Sequence, residues 1–485
     1  MLCVLSSLAT AEIAMTAVQP ELFADSQGQS NAWGDYDGDG DLDLIVLFRN
    51  EPVRLYKNTK NGFVNVAPDS GLPTIAANPR SVAWGDYDRD GDLDLYIGYS
   101  GREGPKNGLF RNESAQNVTR FEDVSAQAGV DLQGFTRQVA FIDYDADGDL
   151  DLYVALRGGV NRLLQNNEAI FTDVTFNVGI AEPRRTVGAC WFDIDADGDL
   201  DLFTANQNGD RDGVFRNDGG SFTEVGMLLN LDQPRRALKD GSVGCAVTDF
   251  DNDGDLDLYV AEYGYDSLFR NNGDGSFDDV GVEMGLAKDD HIVTGVWGDV
   301  QHDGLVDLYT VGYVNGKPGT PDYLFINQGD KFVNQLPTNV AANDADHGAQ
   351  WGDFDNDGDL DLALAANDPA GSHFLFRNDL PDEIAARSLQ VLVLDKNGHY
   401  TRAGSEVRLF EAGTRTLLGT RLVDTASGYN SQNAKPVHFG LPKDLDVDVE
   451  VTLMSQSGRK VRRFENVDWR ELSGKPFVVK VASTD

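Results

Sequence analysis

The sequence predicts an all-β chain, a seven-bladed β-propeller followed by a small C-terminal β domain. Three observations carry that prediction. A nine-residue acidic stretch is written seven times, at intervals of 51, 57, 50, 56, 50 and 54 residues. Two further landmarks recur in fixed order after each copy. The last repeat also lacks a strand that a piece near the N-terminus can supply.

The acidic stretch is cleanest at Asp86-Tyr87-Asp88-Arg89-Asp90-Gly91-Asp92-Leu93-Asp94. Carboxylates at positions 1, 3, 5 and 9 with Gly at 6 suit a hard cation, which takes oxygen ligands at short range. A tight turn brings alternate side chains to one point, and Gly supplies the positive φ of the sharp bend. Position 7 is usually Asp and offers its backbone carbonyl. The candidate metal ligands of the first two loops are Asp35, Asp37, Asp39, Asp41 and Asp43, then Asp86, Asp88, Asp90, Asp92 and Asp94. The third and fourth give Asp143, Asp145, Asp147, Asp149 and Asp151, then Asp193, Asp195, Asp197, Asp199 and Asp201. The fifth gives Asp249, Asp251, Asp253, Asp255 and Asp257, and the seventh Asp353, Asp355, Asp357, Asp359 and Asp361. The sixth is damaged: it keeps Asp299, Asp303 and Asp307 but has Gln301 at position 3 and His302 at position 4. The expected ion is Ca2+, in six sites, with the sixth loop empty, weakly filled or bridged by His302 and water. Metal-free Asp turns held by side-chain-to-backbone bonds are the alternative. Six complete copies that lose no oxygen position argue against it.

These are not EF-hands. The bidentate Glu of position 12 is missing, since Val46, Ile97, Val154, Thr204, Val260 and Leu364 stand there. The flanks Ala83-Trp84-Gly85 and Leu95-Tyr96-Ile97 are short and rich in aromatic and β-branched residues, so they read as strands. The second landmark, Leu-Phe-Arg-Asn, is seen at Leu109–Asn112, Leu268–Asn271 and Leu375–Asn378 and more loosely in the other repeats. The third is a Phe at Phe63, Phe121, Phe171, Phe222, Phe277 and Phe332, usually followed by x-Asp-Val. Each repeat then has four strands, which is one propeller blade. The seventh repeat stops after Asn378, while Phe23-Ala24-Asp25-Ser26 precedes the first loop. That piece is expected to complete the last blade and remove the open edge.

Past residue 380 the repeat is lost. Residues 388–394, Glu406–Phe410, Val447–Leu453 and Pro476–Val481 read as strands of a β domain spanning 381–485, after a propeller spanning 21–380. Residues 1–20 are read as a signal remnant or a disordered N-terminus, because Leu2 to Ala9 is apolar but no basic residue precedes Arg49.

Composition narrows the function. The formal charge is −40, and the loops hold 33 of the 80 acidic residues. Such a chain repels nucleic acid and anionic membranes. An apolar share of 41% is enough for a core, and no run of 18 apolar residues suggests a membrane span. Cys3, Cys190 and Cys245 give no disulfide framework. Cys190 stands three residues before its loop and Cys245 four before its own, so alternation puts them on opposite faces of their strands. They are read as buried free thiols. Loops of this kind suit a calcium-rich compartment, so the expected location is extracellular or periplasmic.

The repeats from Trp84 to Tyr96 resemble the FG-GAP/VCBS-type repeats of integrin-α-like propellers. Ser427-Gly428-Tyr429-Asn430-Ser431-Gln432, followed by Val437-His438-Phe439-Gly440-Leu441, resembles an ASPIC/UnbV domain. Together they resemble the cartilage acidic protein family, which pairs those two domains. One departure is Met454-Ser455-Gln456-Ser457-Gly458, where that family has Trp-Pro-Ser-Gly. The resemblance implies an extracellular calcium-binding protein.

No His-Glu-x-x-His, Gly-x-Ser-x-Gly or phosphate-binding Gly-rich loop is present, and the six histidines are scattered. A candidate ligand face comes instead from Arg80, Arg137, Arg185, Arg236, His291 and His347, which precede the loops by roughly one strand. They mark the propeller mouth opposite the loops, where scarce bases could attract an anion or could simply pair with neighbouring acids. The reading is a non-catalytic binding or adhesion module with a protein or carbohydrate partner. The alternative is an enzyme of natural-product or polysaccharide metabolism with its site between the two domains.

Overall fold

The computed structural model describes residues 13–482 except 25–26, 76, 116–117, 235, 314–319, 342–345, 367–372 and 473, and leaves the side chains of Asp346 and Ala366 undescribed. The signal-like segment and Cys3 lie outside the described residues. The chain is a seven-bladed propeller followed by a smaller β domain. In blade 1 the inner strand Gly28–Gly34 leads into the first acidic loop, and Asp43–Phe48 leaves it. Arg54–Lys57 and Val64–Asn65 complete the antiparallel sheet. The other blades repeat this order, and a short pairing of Gly134 with Gly101 joins blades 2 and 3.

Closure is by an N-terminal strand, but an earlier one than the expected Phe23 piece. Met15–Ala17 pairs with Leu375–Asn378, with Met15 opposite Asn378. Phe23 is a core residue instead, packed between Tyr56, Phe63 and Phe374, and its carbonyl accepts from Phe374 N at 3.1 Å. The apolar Phe marks a buried position, which does not distinguish a strand from a plug.

The seam between last and first blades is built like the others. A Cβ on Gly34 would stand 2.9 Å from the Trp84 ring, and one on Gly352 would stand 3.0 Å from Trp33. The Trp of each such blade therefore needs a Gly on the blade before it, which is the reason for the recurrent Trp-Gly pair. The Asn ending each Leu-Phe-Arg-Asn element makes a second tie. Asn112 donates to Tyr36 O at 2.7 Å in the preceding blade, and Asn58 donates to Phe354 O at 2.7 Å across the seam.

The two loop-adjacent cysteines are a disulfide, Cys190–Cys245, with Cα atoms 6.1 Å apart. This corrects the free-thiol expectation. Inner strands Thr186–Phe192 and Ser242–Thr248 belong to neighbouring blades. An inner strand turns one face to each neighbour, so residues on opposite faces of adjacent strands are the ones that meet.

The C-terminal domain holds two sheets. Val437–Gly440, Ser388–Asp395 and Phe477–Val481 form one. Leu417–Leu422, Glu406–Glu411, Val447–Leu453 and Lys460–Val467 form the other. A core including Val391, Leu409, Phe439, Val449 and Trp469 fills the space between them. No helix among the described residues is long and apolar enough to cross a membrane.

Candidate calcium centres

Each loop is held by its own carboxylates before any ion is considered. At position 1, the Asp143 carboxylate accepts from Asp147 N and Gly148 N, both at 3.0 Å, and Asp35 takes the equivalent bonds. Position 9 has a role that the spacing did not reveal. The backbone N–H of the Asn that ends the Leu-Phe-Arg-Asn element donates to this carboxylate in all seven blades, from Asn58 on Asp43 to Asn378 on Asp361. In six of them the other oxygen accepts from the position-2 amide, for example Tyr87 N on Asp94 at 3.3 Å. Position 9 thus ties loop, second strand and third strand together.

Gly at position 6 has positive φ as expected, +103° at Gly91. Position 4 is left-handed too, in Arg89, Ala146, Ala196, Asn252, His302 and Asn356 as well as Gly38. The sequence signal for that was weak, because only Gly and Asn there favour the conformation.

Inside the turn the carboxylates converge. Ligand atoms of Asp35, Asp37 and Asp39 lie within 4.8 Å of one another, as do those of Asp86, Asp88 and Asp90 and of Asp193, Asp195 and Asp197. Asp143, Asp145 and Asp151, and Asp249, Asp251 and Asp257, form the same kind of group from positions 1, 3 and 9. None of these five groups uses the position-7 side chain. Asp41 accepts from Asn356 Nδ2 at 2.9 Å, Asp199 from Gly219 N at 2.7 Å and Asp359 from Leu380 N at 3.1 Å, while Oδ1 of Asp92 and of Asp359 is buried without a donor.

Several of the converging oxygens are buried without any donor, Oδ1 of Asp37, Asp86, Asp88 and Asp145, and the loops hold others in Asp43 Oδ2, Asp92 Oδ1, Asp353 Oδ1 and Asp359 Oδ1. Burial raises Asp35, Asp86, Asp193 and Asp249 to about 6, and burial with neighbouring Asp charges raises Asp143 to about 8. Buried anions of this kind require a counter-charge. A hard cation fits the donor set: all-oxygen, carboxylate-rich, turned inward on a tight backbone. In the sixth loop, Gln301 Oε1 is likewise buried without a partner. His302 Nε2 is also buried without a partner. Its Nδ1 lies 3.0 Å from Ile384 O and its ring packs 5.2 Å from His438.

The C-terminal domain sits on this end of the propeller and touches loop after loop. Arg459 donates to Asp193 Oδ2 at 2.7 Å, Gln390 to Asp353 Oδ2 at 2.7 Å and Tyr400 N to Asp86 Oδ2 at 3.3 Å. His438 Nε2 lies 2.8 Å from Gly358 O. From that platform the Ser427–Gln432 segment runs into the central channel. Gly428 N donates to Cys245 O at 2.8 Å, Trp84 N to Gln432 Oε1 at 2.7 Å and Trp351 N to Asn433 Oδ1 at 3.2 Å. Tyr429 is the tip of the segment and is buried.

That tip meets half of the expected ligand face. Arg80 donates to the Tyr429 hydroxyl, and His347 lies 5.9 Å from its ring. Arg137 stands close enough to pull on the phenol electrostatically. Arg185 is instead paired with Asp210 and Arg236 with Asp212, while His291 packs 5.1 Å from Tyr263. The expected ring is therefore half ion pairs and half a converging cluster. Arg49, Arg157, Tyr263 and Tyr313 belong to the same mouth and were missed. All four stand fourteen residues after the first Asp of their loops, a register that could have found them.

Comparison with known proteins agrees with this architecture. A family model described as an FG-GAP-like repeat matches residues 35–97, 143–204, 193–260 and 249–310. Cartilage acidic protein 1 of Xenopus tropicalis is 26% identical over 458 residues, covering 86% of this chain and 69% of that protein. The Homo sapiens protein of the same name is 25% identical over 460 residues, covering 86% and 67%. A solved structure of an Agrocybe aegerita lectin, described for recognition of non-reducing terminal N-acetylglucosamine, is 19% identical with a TM-score of 0.39. It covers 64% of this chain and 81% of that one, a likeness too loose to carry an argument.

Proposed function

We propose, from the premise that this chain is a relative of the cartilage acidic proteins built on FG-GAP-like repeats, that it is an exported calcium-binding propeller acting as a non-catalytic binding module. One observation carries the metal reading: within the converging groups, oxygens of Asp37, Asp86, Asp88 and Asp145 are buried with no donor. Asp residues at positions 1, 3, 5 and 9 of each full loop would hold the ion, with the position-7 carbonyl beside them. Calcium would supply the counter-charge that lets the loops keep their carboxylates ionised. In the sixth loop Asp299, Asp303, Asp307 and the Gln301 carbonyl remain, one negative charge poorer.

Export is supported by the Cys190–Cys245 disulfide, since such bonds persist in oxidising compartments. It also suits loops that fill at about 10⁻⁴–10⁻³ M calcium. We divide the chain into a propeller that begins by Met15 and runs to about residue 380, and an ASPIC/UnbV-like domain beyond it. For the enzyme alternative, the acid–base neighbours among the described residues of the interdomain cleft are Lys435 and Asp424. Lys435 is buried there without a hydrogen bond, but Asp424 is engaged by the Ser427 hydroxyl and by Asn433 N at 2.8 Å.

The test is native mass spectrometry of chelator-stripped protein titrated with calcium. Six bound ions at about millimolar calcium are expected. A spectrum that stays metal-free would overturn the reading.

A further inference from the structure

The channel mouth away from the loops is not used by the calcium reading. Arg80 bonds the Tyr429 hydroxyl and Gln29 Oε1, with its guanidinium carbon 5.2 Å from the Tyr429 ring centroid. Arg137 donates to Ser100 Oγ at 2.7 Å. Arg157 reaches Asn208 Oδ1 at 3.1 Å, and Arg49 is half-buried on the same rim. His347 packs 3.8 Å from Tyr313 and completes the wall.

Two facts separate this cluster from ordinary packing. No carboxylate among the described residues pairs with Arg49, Arg80, Arg137 or Arg157, in a chain with 80 acidic and 40 basic residues. On the same rim Arg184, Arg185 and Arg236 each found an acid. Second, the Nε atoms of Arg80 and Arg137 are buried with no partner, and Arg80 is only 9% exposed. Like charges gathered with no counter-charge among the described residues raise their own energy, and a bound anion relieves it. The strain shows in the neighbours. Burial, with Arg80 beside it, lowers Arg137 to about 10. Burial alone would raise the Tyr429 phenol, yet Arg80 and Arg137 pull it down to about 8.

We propose that this mouth binds one small oxyanion, a carboxylate, sulfate or phosphate, between Arg80 and Arg137 beside the Tyr429 hydroxyl. Guanidinium groups match the planar or tetrahedral oxygens of such anions by paired N–H donors. The site is composite, because the propeller supplies the cations and the C-terminal domain supplies the phenol. A polyanion is disfavoured by the −40 field of the whole chain, whereas a single charged group entering the mouth meets the local cations first. The anion can be a free ion or the charged end of a larger ligand. This deepens the binding-module reading and rests on it only in taking the chain as a binder. It does not depend on the loops holding calcium.

The test is calorimetry of the full chain with sodium sulfate, phosphate and acetate at constant ionic strength, repeated with calcium and with chelator. One site per chain is expected for at least one anion. Arg137→Gln should weaken it about tenfold or more, which is about 1.4 kcal/mol or more. Tyr429→Phe should weaken it a few-fold, and the distant surface change Arg120→Gln should leave it unchanged. Arg80→Gln disturbs the bonds to Gln29 and Tyr429, so Arg137→Gln is the deciding variant. The proposal is overturned if none of the three anions binds below about 20 mM, or if Arg137→Gln binds them as the parent does. A mono-carboxylate arm compared with a dicarboxylate arm separates a free ion from a ligand terminus. Tighter binding of heparin than of sulfate, unaffected by Arg137→Gln, would sink the single-oxyanion claim. Loss of calcium binding with retained anion binding would refute the loop reading and leave this one standing.

Discussion

At the loop end of the channel the turns gather carboxylates, and at the opposite mouth Arg80, Arg137, His347 and Tyr429 converge beside rim arginines that are paired with acids. The two ends are separated by the length of the strands that enter and leave each loop: Arg80, Arg137 and His347 stand on or beside inner strands, and Arg49, Arg157, Tyr263 and Tyr313 follow second strands. The acidic end is covered by the C-terminal domain, which places Arg459, Gln390 and Tyr400 on three different loops. Among the described residues the tip of that domain, Tyr429, meets the basic end. At the acidic end identical positions in each blade stack like charges into a ring, which needs a partner; at the basic end one register holds Arg49, Ser100, Arg157, Gln207, Tyr263 and Tyr313, so the cations come from only some blades. At one end backbone amides, the second domain and the proposed metal share that task. At the other the described residues leave it unfinished.

Removing calcium should have the largest effect, and only at the acidic end. A tenfold excess of free calcium over Kd adds about 1.4 kcal/mol per site, so six sites sum to about 8 kcal/mol. Unfolding entropy scales with chain length, so chelation should lower Tm on the order of 8 °C in a chain this long. A melt identical in calcium and chelator would erase the contrast.

Opening the disulfide comes next. Cys190→Ser with Cys245→Ser releases a loop of 55 residues between blades 4 and 5. The chain-entropy estimate for a loop of that size is roughly 4 kcal/mol. The loss should be equal with and without calcium, because the bond spans inner strands and not the loops. Chemical denaturation in both conditions checks that additivity.

Within the acidic end, two carboxylates of one loop should part company. Asp94→Ala strands the buried amides of Tyr87 and Asn112 and should cost about 3 kcal/mol even in chelator. Asp88→Ala should cost stability in calcium and little in its absence, because one Asp88 oxygen has no donor in the fold. Equal losses in both conditions for both variants would refute the division into tying and ligating acids.

Gln301→Asp should give the smallest shift at that end, a gain of about 1 kcal/mol seen only with calcium, as the sixth loop regains its charge. At the basic end the pH response runs the other way from an ordinary tyrosine. The Tyr429 pKa is depressed in the fold, so its contribution is complete above the unfolded value near 10 and fades as pH falls through about 8. The groups facing it are Arg80, Arg137 and His347, with Arg49, Arg157, Tyr263 and Tyr313 around them. A difference titration at phenolate wavelengths, parent against Tyr429→Phe, should show one transition near pH 8. A transition near 10 would remove the case for uncompensated cations.

The sequence by itself determined the loops, the blade count and the need for closure. Those features are local and repeated: Gly91 and its equivalents fix a turn, alternate Asp residues share one side of it, and Trp84 and Leu95 flank it with strands. It also determined that Arg80, Arg137 and His347 end up at one mouth, since each precedes its loop by about one strand. What it left open depends on which strands become neighbours. Cys190 and Cys245 are joined because adjacent blades turn opposite faces to each other, and Asp94 ties two strands because Asn112 lies beside it. Met15–Ala17, not the Phe23 piece, closes the ring because a few backbone pairings decide an edge, and three residues carry too little pattern to announce it. Only the tertiary structure put Tyr429 inside the channel. A motif on one domain acquires its chemistry from the walls of another, and no spacing along the chain encodes that distance.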